Sequence, residues 1–501
     1  MHTADYTVFG LYLLIVLLVG VCAGAFRRTS RTDASYFLAD RSMGWFPLGL
    51  SVMVTAFSAI NFVAMPSEVF GHGLYVLASL PVFLLVAFPI TRVLIPFFHD
   101  MRLTSAYEYL EHRFDDRTRC LSSALFILWR VAWMSTALYA SGTILAKVAE
   151  IPPASVIITA GIIAMLYTTL GGIRAVMWTD VLQFFVLVGG ILAGLALAGQ
   201  AVQSNSQALD TLMQSNHFRP FVPFDPDFLS FDPRIRITLW SALLGTFVAF
   251  LTRYGADQVV VQRYFTGRSL GDIRRGFWLN IAAALFAISL LVLLGLATAL
   301  WSTTQPPAPE GAKPLFHLAA LFRALPAGLT GLVAAGLMAA TMSSIDSGLN
   351  ACCATYTKDF HKRMRPSAPA QSLTRNMLIT LATGVAVIAF AFQVGRMGEL
   401  FAVVNRIIHG LGSPLLALFL LGMFSRRTGP RGAFFGGLTG TLFSIWICWT
   451  VHTLALHYYA VINLAGTLLA ARLISAILGE TVSEQAQAWT WSARKSLARQ
   501  S

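Results

Sequence analysis

Residues 336–350 read GLMAATMSSIDSGLN, an apolar stretch that carries three serine hydroxyls and one carboxylate. Ser343, Asp346 and Ser347 follow the i, i+3, i+4 spacing, so a helix here places them on one face. Hydrogen bonds to the preceding helical turn would explain the serines, but a carboxylate inside a bilayer is costly unless it has a partner. Hydroxyls beside one carboxylate suit a hard cation such as sodium, which prefers oxygen ligands. The stretch therefore indicates a functional helix within a membrane.

The composition excludes a soluble globular protein. The 501 residues are 56% hydrophobic and 12% charged, with a mean hydropathy of +0.67, whereas soluble domains are about 25% charged. The net charge of +13 and the pI of about 9.8 would suit nucleic-acid binding in a soluble protein. Here the basic residues occupy short segments between apolar runs, as the positive-inside rule predicts, so we expect no nucleic-acid partner.

Thirteen apolar runs are long enough to cross a bilayer core of about 30 Å as helices. The sequence therefore predicts an all-α polytopic membrane protein with about 13 transmembrane helices, named spans 1 to 13 below. No basic stretch precedes the first run, which argues against a cleaved signal peptide. The predicted spans are 7–26, 46–66, 74–98, 119–147, 153–170, 177–200, 237–262, 275–301, 327–357, 375–393, 398–423, 432–451 and 456–478.

The lysines and arginines of the connecting segments predict the orientation. With the N-terminus outside, the cytoplasmic segments contain 24 Lys and Arg and the outer segments contain 7. Such a bias sets the topology of a membrane protein, so we expect the N-terminus outside and the C-terminus inside. The predicted inner segments are 26–45, 99–120, 171–176, 263–276, 358–376, 425–431 and 479–501.

Span 2 contains a candidate break in a membrane helix. Residues 50–66 read LSVMVTAFSAINFVAMP, in which small and hydroxyl residues interrupt the apolar face around Thr55 and Ser58. A break at this point would free backbone carbonyls to bind a cation. Close helix packing through small residues would explain the same pattern, and the residues of this span alone leave both interpretations open.

Three further charged residues lie within predicted spans or at their ends. Asp180, at the start of span 6, suits either a helix cap or an ion site. Arg130 in span 4 and Arg253 in span 7 suit recognition of a carboxylate ligand. They equally suit a structural ion pair or a side chain that snorkels to the membrane surface.

Four motifs together resemble the sodium:solute symporter family over nearly the whole chain. They are TSAYEYLEHRF at 104–114, LGGIRAVMWTDVLQ at 170–183, DQVVVQRY at 257–264 and ATMSS at 340–344. The resemblance implies a LeuT-type core of two inverted five-helix repeats, in which the first helix of each repeat is broken. The count of spans and the orientation were obtained independently of this resemblance and agree with it.

The resemblance also implies a division of the chain into five parts. Residues 1–45 form the first transmembrane helix and an inner loop, and 201–236 form an outer loop. The two repeats occupy 46–200 and 237–424. Residues 425–501 form two further transmembrane helices and a short cytoplasmic tail.

The family's sodium sites can be transferred to this sequence by motif position. The main site uses backbone carbonyls of the broken span with a carbonyl and two hydroxyls of span 9, which here are Val54, Phe57, Ala340, Ser343 and Ser344. Some members have a second sodium site, whose matching positions here are Asp180, Ser343, Asp346 and Ser347. Such members have a serine where this chain has Asp346. The added carboxylate either strengthens the site or takes a proton instead.

The resemblance implies a substrate other than a simple sugar. Sugar-transporting members use a glutamine in the broken span and a glutamate in span 3, and the matching positions here are Asn61 and Leu80. A pocket with few hydrogen-bonding groups suits a hexose poorly, and residues 53–69 look closer to the iodide, vitamin and monocarboxylate branch. We therefore predict a small organic anion, contacted by Asn61, Phe62 and Tyr254, with its charge met by Arg130 or Arg253.

Other classes of function remain open at this stage. They are a sodium-coupled sugar or sialic acid symporter, a proton-coupled or uncoupled carrier, a channel, a sensor and a membrane enzyme. No signalling domain is visible, and the histidines that an enzyme might use, His72, His112 and His317, are scattered. We expect a transporter rather than an enzyme, with sodium, a small solute and the lipid bilayer as partners. We also expect the protein to be a monomer and to reside in a bacterial inner membrane.

Overall fold

Helices form almost all of the regular structure of this chain. The computed structural model describes residues 1–25, 37–101, 103, 105–203, 207–214, 224–364, 373–455 and 457–494. Within these ranges there is no β-strand, and the β-type pairing consists of an isolated bridge between Met43 and Gly267. The predicted all-α class is therefore confirmed for the described residues.

Ten of the described helices are long and apolar enough to cross a membrane. They are Trp45–His72 (span 2), Leu74–Met101 (span 3), Asp116–Ala149 (span 4), Gly172–Gln200 (span 6), Leu270–Thr303 (span 8), Leu329–His361 (span 9), Thr374–Val394 (span 10), Leu400–Phe424 (span 11), Pro430–Thr450 (span 12) and Tyr458–Ile477 (span 13). Shorter helices in the connections are Ala39–Arg41, Glu108–Arg113, Ala208–Gln214, Pro226–Leu229, Pro314–Arg323, Lys362–Met364 and Glu484–Ala488.

Spans 1, 5 and 7 are the other three predicted spans, and helices lie at each of them. Span 1 is the helix Thr3–Ala25. Span 5 begins a helix, Pro153–Gln203, that continues into span 6 past a non-helical residue at Gly172. Span 7 is divided into Ser241–Gly245, Thr246–Gly255 and Gln258–Thr266. The total number of spans and the orientation of the termini stay predictions.

Side-chain caps fix where two of the long helices begin. The Asp115 carboxylate accepts a hydrogen bond from the backbone N–H of Thr118 at 2.8 Å and starts span 4. The Ser269 hydroxyl accepts one from the backbone N–H of Asp272 at 3.0 Å and starts span 8. Each cap satisfies a backbone donor that the first helical turn would otherwise leave unpaired.

Spans 2 and 9 form the centre of the bundle. In each, 89% of the most apolar stretch is buried within the protein, compared with 28% in spans 10 and 13. Span 2 packs along span 8, and span 9 packs along the helix that contains spans 5 and 6. The two helices that carry the predicted main-site ligands are therefore enclosed by protein rather than facing lipid.

Span 1 holds the beginning of span 9 in place. The buried Asp5 side chain accepts hydrogen bonds from the backbone N–H groups of Gly328 at 2.7 Å and Gly331 at 3.0 Å. These donors lie at the N-terminus of span 9, where a carboxylate is favoured by unpaired N–H groups and by the helix dipole. Span 1, which the family resemblance places outside the two repeats, thus contacts a helix of the candidate cation site.

Candidate cation and substrate site

Span 2 is broken at Ser58, as its pattern of small and hydroxyl residues suggested. Ser58 has φ 52° and ψ 163°, a backbone conformation that residues other than glycine rarely adopt. The Ser58 hydroxyl accepts a hydrogen bond from the Ile60 N–H at 3.2 Å, and the Asn61 amide donates to the Phe57 carbonyl at 2.7 Å. Backbone strain held in place in this way often marks a functional site.

Four of the five predicted main-site ligands lie together beside this break. The Ser343 hydroxyl lies 3.4 Å from the Val54 carbonyl oxygen and 3.0 Å from the Ala340 carbonyl oxygen. The Ser344 hydroxyl donates to the same Ala340 oxygen at 3.3 Å. The two Ala340 contacts are hydrogen bonds to the preceding turn of span 9, as the alternative interpretation of the serines predicted, and the Ser343–Val54 contact joins spans 9 and 2. Both serines and both carbonyl-bearing residues are fully buried. Two carbonyls and two hydroxyls converging in a dry site are a ligand set suited to a hard monovalent cation.

The fifth predicted ligand is adjacent to this group. The carbonyl of Phe57 lies one helical turn beyond Val54, directly before the break, and it accepts the Asn61 amide. A carbonyl oxygen has two lone pairs, so this hydrogen bond leaves it able to bind a cation as well. The residues present therefore fit sodium at the position that the motif predicts.

A second polar cluster lies among spans 2, 6, 7 and 9. The Asp180 carboxylate accepts hydrogen bonds from the Ser51 hydroxyl at 2.5 Å and from the Arg263 guanidinium at 3.1 Å. Arg263 also donates to the Ser347 hydroxyl at 2.6 Å, and the Asp346 carboxylate accepts the Ser347 N–H at 2.6 Å. Asp180, Asp346 and Ser347 are thus brought into one network, but it contains an arginine that the sequence interpretation did not include. A second sodium at these positions stays a prediction.

Span 7 is broken just before Asp257. Its helix ends at Gly255 and a new one begins at Gln258. The Asp257 carboxylate accepts the Val259 N–H at 3.0 Å and forms a buried ion pair with Arg130 of span 4. The predicted break in the first helix of each repeat is therefore present at both positions. Arg130 makes the structural ion pair that was one of its three predicted roles.

The other predicted substrate residues occupy different environments. The Arg253 guanidinium lies over the ring of Trp133 at 5.2 Å and makes no ion pair within the described part of the chain. Phe62 and Tyr254 are fully buried and pack on Phe322 and Phe277. Of the two arginines, Arg130 makes an ion pair and Arg253 makes none among the described residues.

Two tryptophans of span 4, Trp129 and Trp133, lie in the same region as Arg253. The indole nitrogens of Trp129 and Trp133 are buried and have no hydrogen-bond partner among the described residues. The Ser413 hydroxyl of span 11 is also buried and has no partner among the described residues. Ser413 follows Gly412, which lies close to Trp129 and Thr252. Buried donors usually have a partner, so these groups suggest a polar ligand. The sequence interpretation missed both tryptophans, although they lie on one face of span 4 with the i, i+4 spacing.

Ion pairs join the helices at both ends of the bundle. At the end predicted to face outward, Arg236 donates to both carboxylate oxygens of the buried Glu68, at 2.9 and 2.7 Å, and lies 3.5 Å from Glu399. At the other end, the buried Asp359 of span 9 accepts the Arg119 Nε at 2.8 Å.

The three histidines considered for an enzyme lie in separate environments. His72 contacts Glu68 at 3.5 Å. His112 stacks on Trp489 and His317 stacks on Phe70. The three histidines thus contact different residues.

Replacing Arg130 with methionine is expected to destabilise the protein by about 3–5 kcal/mol, because it leaves Asp257 buried without its partner. The double variant Arg130→Met/Asp257→Asn should be considerably more stable than the single variant, since no uncompensated charge remains. Thermal unfolding in detergent measures both. Arg234→Met is the control, because that arginine is 77% exposed and its ion pair is worth little. Equal melting temperatures for the single and double variants would contradict the assigned pair.

Comparison with known proteins identifies the class. The chain belongs to the sodium:solute symporter family, whose model matches residues 36–440. It is therefore a multi-pass membrane transporter. The suspected family resemblance, based on four motifs, is confirmed.

This chain is similar to several transporters that differ in the substrate they are named for. It is 32% identical to the sodium-dependent multivitamin transporter of Oryctolagus cuniculus, with 88% of this chain and 70% of the relative covered. It is 30% identical to the human sodium/iodide cotransporter, with 88% and 69% covered. It is 28% identical to the sodium/sialic acid symporter NanT of Aliivibrio fischeri, with 89% and 88% covered.

Solved structures confirm the fold class. A Na⁺-coupled sialic acid symporter in a substrate-bound, outward-open state matches 95% of this chain and 98% of its own, with 25% sequence identity and a TM-score of 0.83. MHP1, a nucleobase-cation-symport-1 family transporter, matches with a TM-score of 0.56 and 13% identity, which supports the fold alone. These neighbours share the LeuT-type fold.

Proposed function

We propose that this protein is a sodium-coupled symporter that imports a small organic anion by alternating access. The observation that carries the proposal is the convergence of the Ser343 and Ser344 hydroxyls on the Val54 and Ala340 carbonyls beside the break at Ser58. Hydroxyls and carbonyls bind sodium without a titratable group. The main site therefore favours sodium over protons as the coupling ion.

The break explains how a sodium ion there can be coupled to movement. Val54 and Phe57 belong to span 2, whereas Ala340, Ser343 and Ser344 belong to span 9. An ion bound between them joins the two helices and stabilises the conformation in which they lie close together. A ligand that binds one of two conformations more tightly shifts the protein toward that conformation.

The anionic substrate is proposed from the surroundings of Arg253. Its guanidinium, with the indole N–H groups of Trp129 and Trp133, supplies donors but no carboxylate acceptor within the described residues. Arg130 is neutralised by Asp257, so we assign the substrate's negative charge to Arg253. Asn61, beside the break, is proposed to contact the uncharged part of the substrate.

Symport of sialic acid is a second candidate. It is favoured by the similarity to the sialic acid symporter over 95% of this chain. Sialic acid carries a carboxylate, so Arg253 would serve it equally well. Its hydroxyls need hydrogen-bonding partners, and a polar pocket would be required around the sugar. We propose the smaller anion because two of the proposed contact residues, Phe62 and Tyr254, are fully buried aromatic side chains that pack on other aromatic rings.

Several properties accompany this proposal. We propose that the N-terminus lies outside and the C-terminus inside, that the protein resides in a bacterial inner membrane, and that one chain is sufficient for transport. The lysine and arginine bias supports the orientation. Labelling of single introduced cysteines at the two termini in intact cells tests it.

The proposal is tested by measuring thermal stabilisation of the purified protein in NaCl and in KCl. Monocarboxylates, vitamin-like acids, sialic acid and hexoses are compared at equal concentration. A ligand present at 100 times its Kd stabilises the folded state by about 2.7 kcal/mol. We expect stabilisation by one of the small acids in NaCl but not in KCl. Stabilisation by sialic acid alone would favour the second candidate, and stabilisation that is equal in both salts would reject sodium coupling.

A further inference from the structure

One turn of span 11 contains a buried histidine that neither the sodium site nor the proposed anion contact uses. Residues Ile408–Gly412 form a π-helical turn, a local widening of a helix that is frequent at functional sites. The turn packs against spans 4, 7, 12 and 13. His409, within it, is 1% exposed. An imidazole is therefore enclosed where span 11 meets the two spans that carry the tryptophans and Arg253.

His409 lies in the region of the proposed anion-binding groups. Arg253 is one of its charged neighbours. Ser413 follows His409 by four residues, and in a π-helical turn, whose hydrogen bonds run from i to i+5, residues four apart stay on the same side. The Ser413 hydroxyl is buried without a partner among the described residues, and the adjacent Gly412 lies close to Trp129. His409 therefore faces the same region as these groups.

The hydrogen bonds of Asn405 assign the proton of the His409 ring. The Asn405 Nδ2 donates to the Phe401 carbonyl at 2.8 Å, so its Oδ1 is the atom that lies 3.3 Å from the His409 Nε2. An amide oxygen can only accept, so this Nε2 carries the hydrogen. A charged ring would be a second buried positive charge beside Arg253, which is costly without a compensating carboxylate. The neutral ring protonated on Nε2 follows.

The His409 Nδ1 is then a hydrogen-bond acceptor. It is buried, and none of the described residues donates to it. Buried polar atoms usually have a partner. The guanidinium of Arg253 and the indole N–H groups of Trp129 and Trp133 can bind a carboxylate, but a plain carboxylate has no hydrogen to offer this nitrogen. The region therefore matches a ligand that accepts at one group and donates at another.

We propose that the transported anion carries an uncharged hydrogen-bond donor, a hydroxyl or an amide N–H, near its carboxylate, and that the His409 Nδ1 accepts this donor. This inference rests on the proposed symport of an organic anion and narrows its substrate class. Arg253 holds the carboxylate, and His409 selects hydroxy acids or acylamino acids over unsubstituted acids. Such a site rejects the analogue that lacks the donor, because its own buried acceptor is then left unpaired.

Pairs of acids that differ in a single donor test the inference in the parent protein. Lactate is compared with propionate, 3-hydroxybutyrate with butyrate, and N-acetylglycine with N-acetyl-N-methylglycine, by thermal stabilisation of the purified full-length protein in NaCl. We expect the donor-bearing acid of at least one pair to bind on the order of 10-fold more tightly. The first two pairs test a hydroxyl and the third tests an amide N–H, so the result also identifies the donor.

Two substitutions separate the acceptor from the contact within span 11. His409→Asn places an amide oxygen near the position of Nδ1 and should retain the preference for the donor-bearing acid. His409→Gln places an amide nitrogen near the position of Nε2, which keeps a donor for Asn405 but removes the acceptor. In this variant we expect the preference to fall to about 2-fold or less. A merely structural role would give the opposite order, because only the glutamine preserves the hydrogen bond to Asn405.

The outcomes distinguish the inference from the proposed function. Equal binding of both acids in all three pairs would overturn the inference and leave symport of an anion in place, and this comparison needs no variant to fold. A folded His409→Gln protein with the parent's preference would also overturn it. Binding of none of these acids, nor of the other acids compared above, would reject the anionic substrate and the inference together.

Discussion

Alanine at both Ser343 and Ser344 is expected to abolish sodium-dependent uptake while leaving the protein folded. Each serine offers a hydroxyl at the break of span 2, within 3.4 Å of the Val54 or Ala340 carbonyl. A hydrogen-bonding group that contacts a charge contributes about 1.5–3 kcal/mol, so loss of two ligands should weaken sodium binding on the order of 100-fold or more. The main effect is on sodium affinity rather than on the substrate's own contacts.

The measurement is the sodium dependence of uptake in proteoliposomes, together with ²²Na⁺ binding to the purified variant. Thr341→Val is a matched control. Thr341 is a buried residue of the same helix that is not a predicted ligand, and its hydroxyl bonds to the Leu337 carbonyl of the preceding turn at 2.8 Å, as the Ser344 hydroxyl does to Ala340. This control should retain the parent's sodium affinity. Unchanged sodium dependence in the double serine variant would remove both residues from the site.

Local patterns drew attention to the break in span 2 and to the serines of the proposed main site. The pattern of span 2 left close helix packing equally open, and the family resemblance was what favoured a break. Hydroxyl residues interrupt an apolar run around Ser58, and the i, i+3, i+4 spacing of Ser343, Asp346 and Ser347 fixes a helical face. The family motif added the carbonyls of Val54 and Ala340, and the structure places them next to Ser343.

The partners of buried charges could not be predicted from the sequence. Arg130 and Asp257 are 127 residues apart, and only the packing of span 4 on the broken span 7 brings them together. Arg263 was counted in the inner segment 263–276 because it follows an apolar run. A basic residue at the end of such a run is most often a loop residue. Its complete burial depends on acceptors from three other helices, which a local pattern does not reveal.

Replacing Arg253 with glutamine is expected to raise the KM for an anionic substrate on the order of 10- to 100-fold. Hydrogen bonds to a charged group contribute about 1.5–3 kcal/mol, and each 1.4 kcal/mol corresponds to a factor of ten. Sodium binding should stay as in the parent, because the carbonyls and hydroxyls of the main site belong to spans 2 and 9. Arg253→Lys should recover part of the affinity through its charge, but not the planar guanidinium geometry.

Uptake of the solute identified by thermal stabilisation, measured at several concentrations, separates an effect on KM from an effect on maximal rate. Arg234→Gln is the control, since this arginine is 77% exposed and pairs with Asp232 in the predicted outer loop. Trp133→Phe keeps an aromatic ring near Arg253 but removes the indole N–H, so its KM should rise less than that of Arg253→Gln. An Arg253→Gln protein that transports the anion with the parent's KM would show that the substrate's charge is met elsewhere. Trp129 and Ser413 would then be the next residues to replace. Their buried donors have no hydrogen-bond partner among the described residues, and they could bind the substrate in place of Arg253.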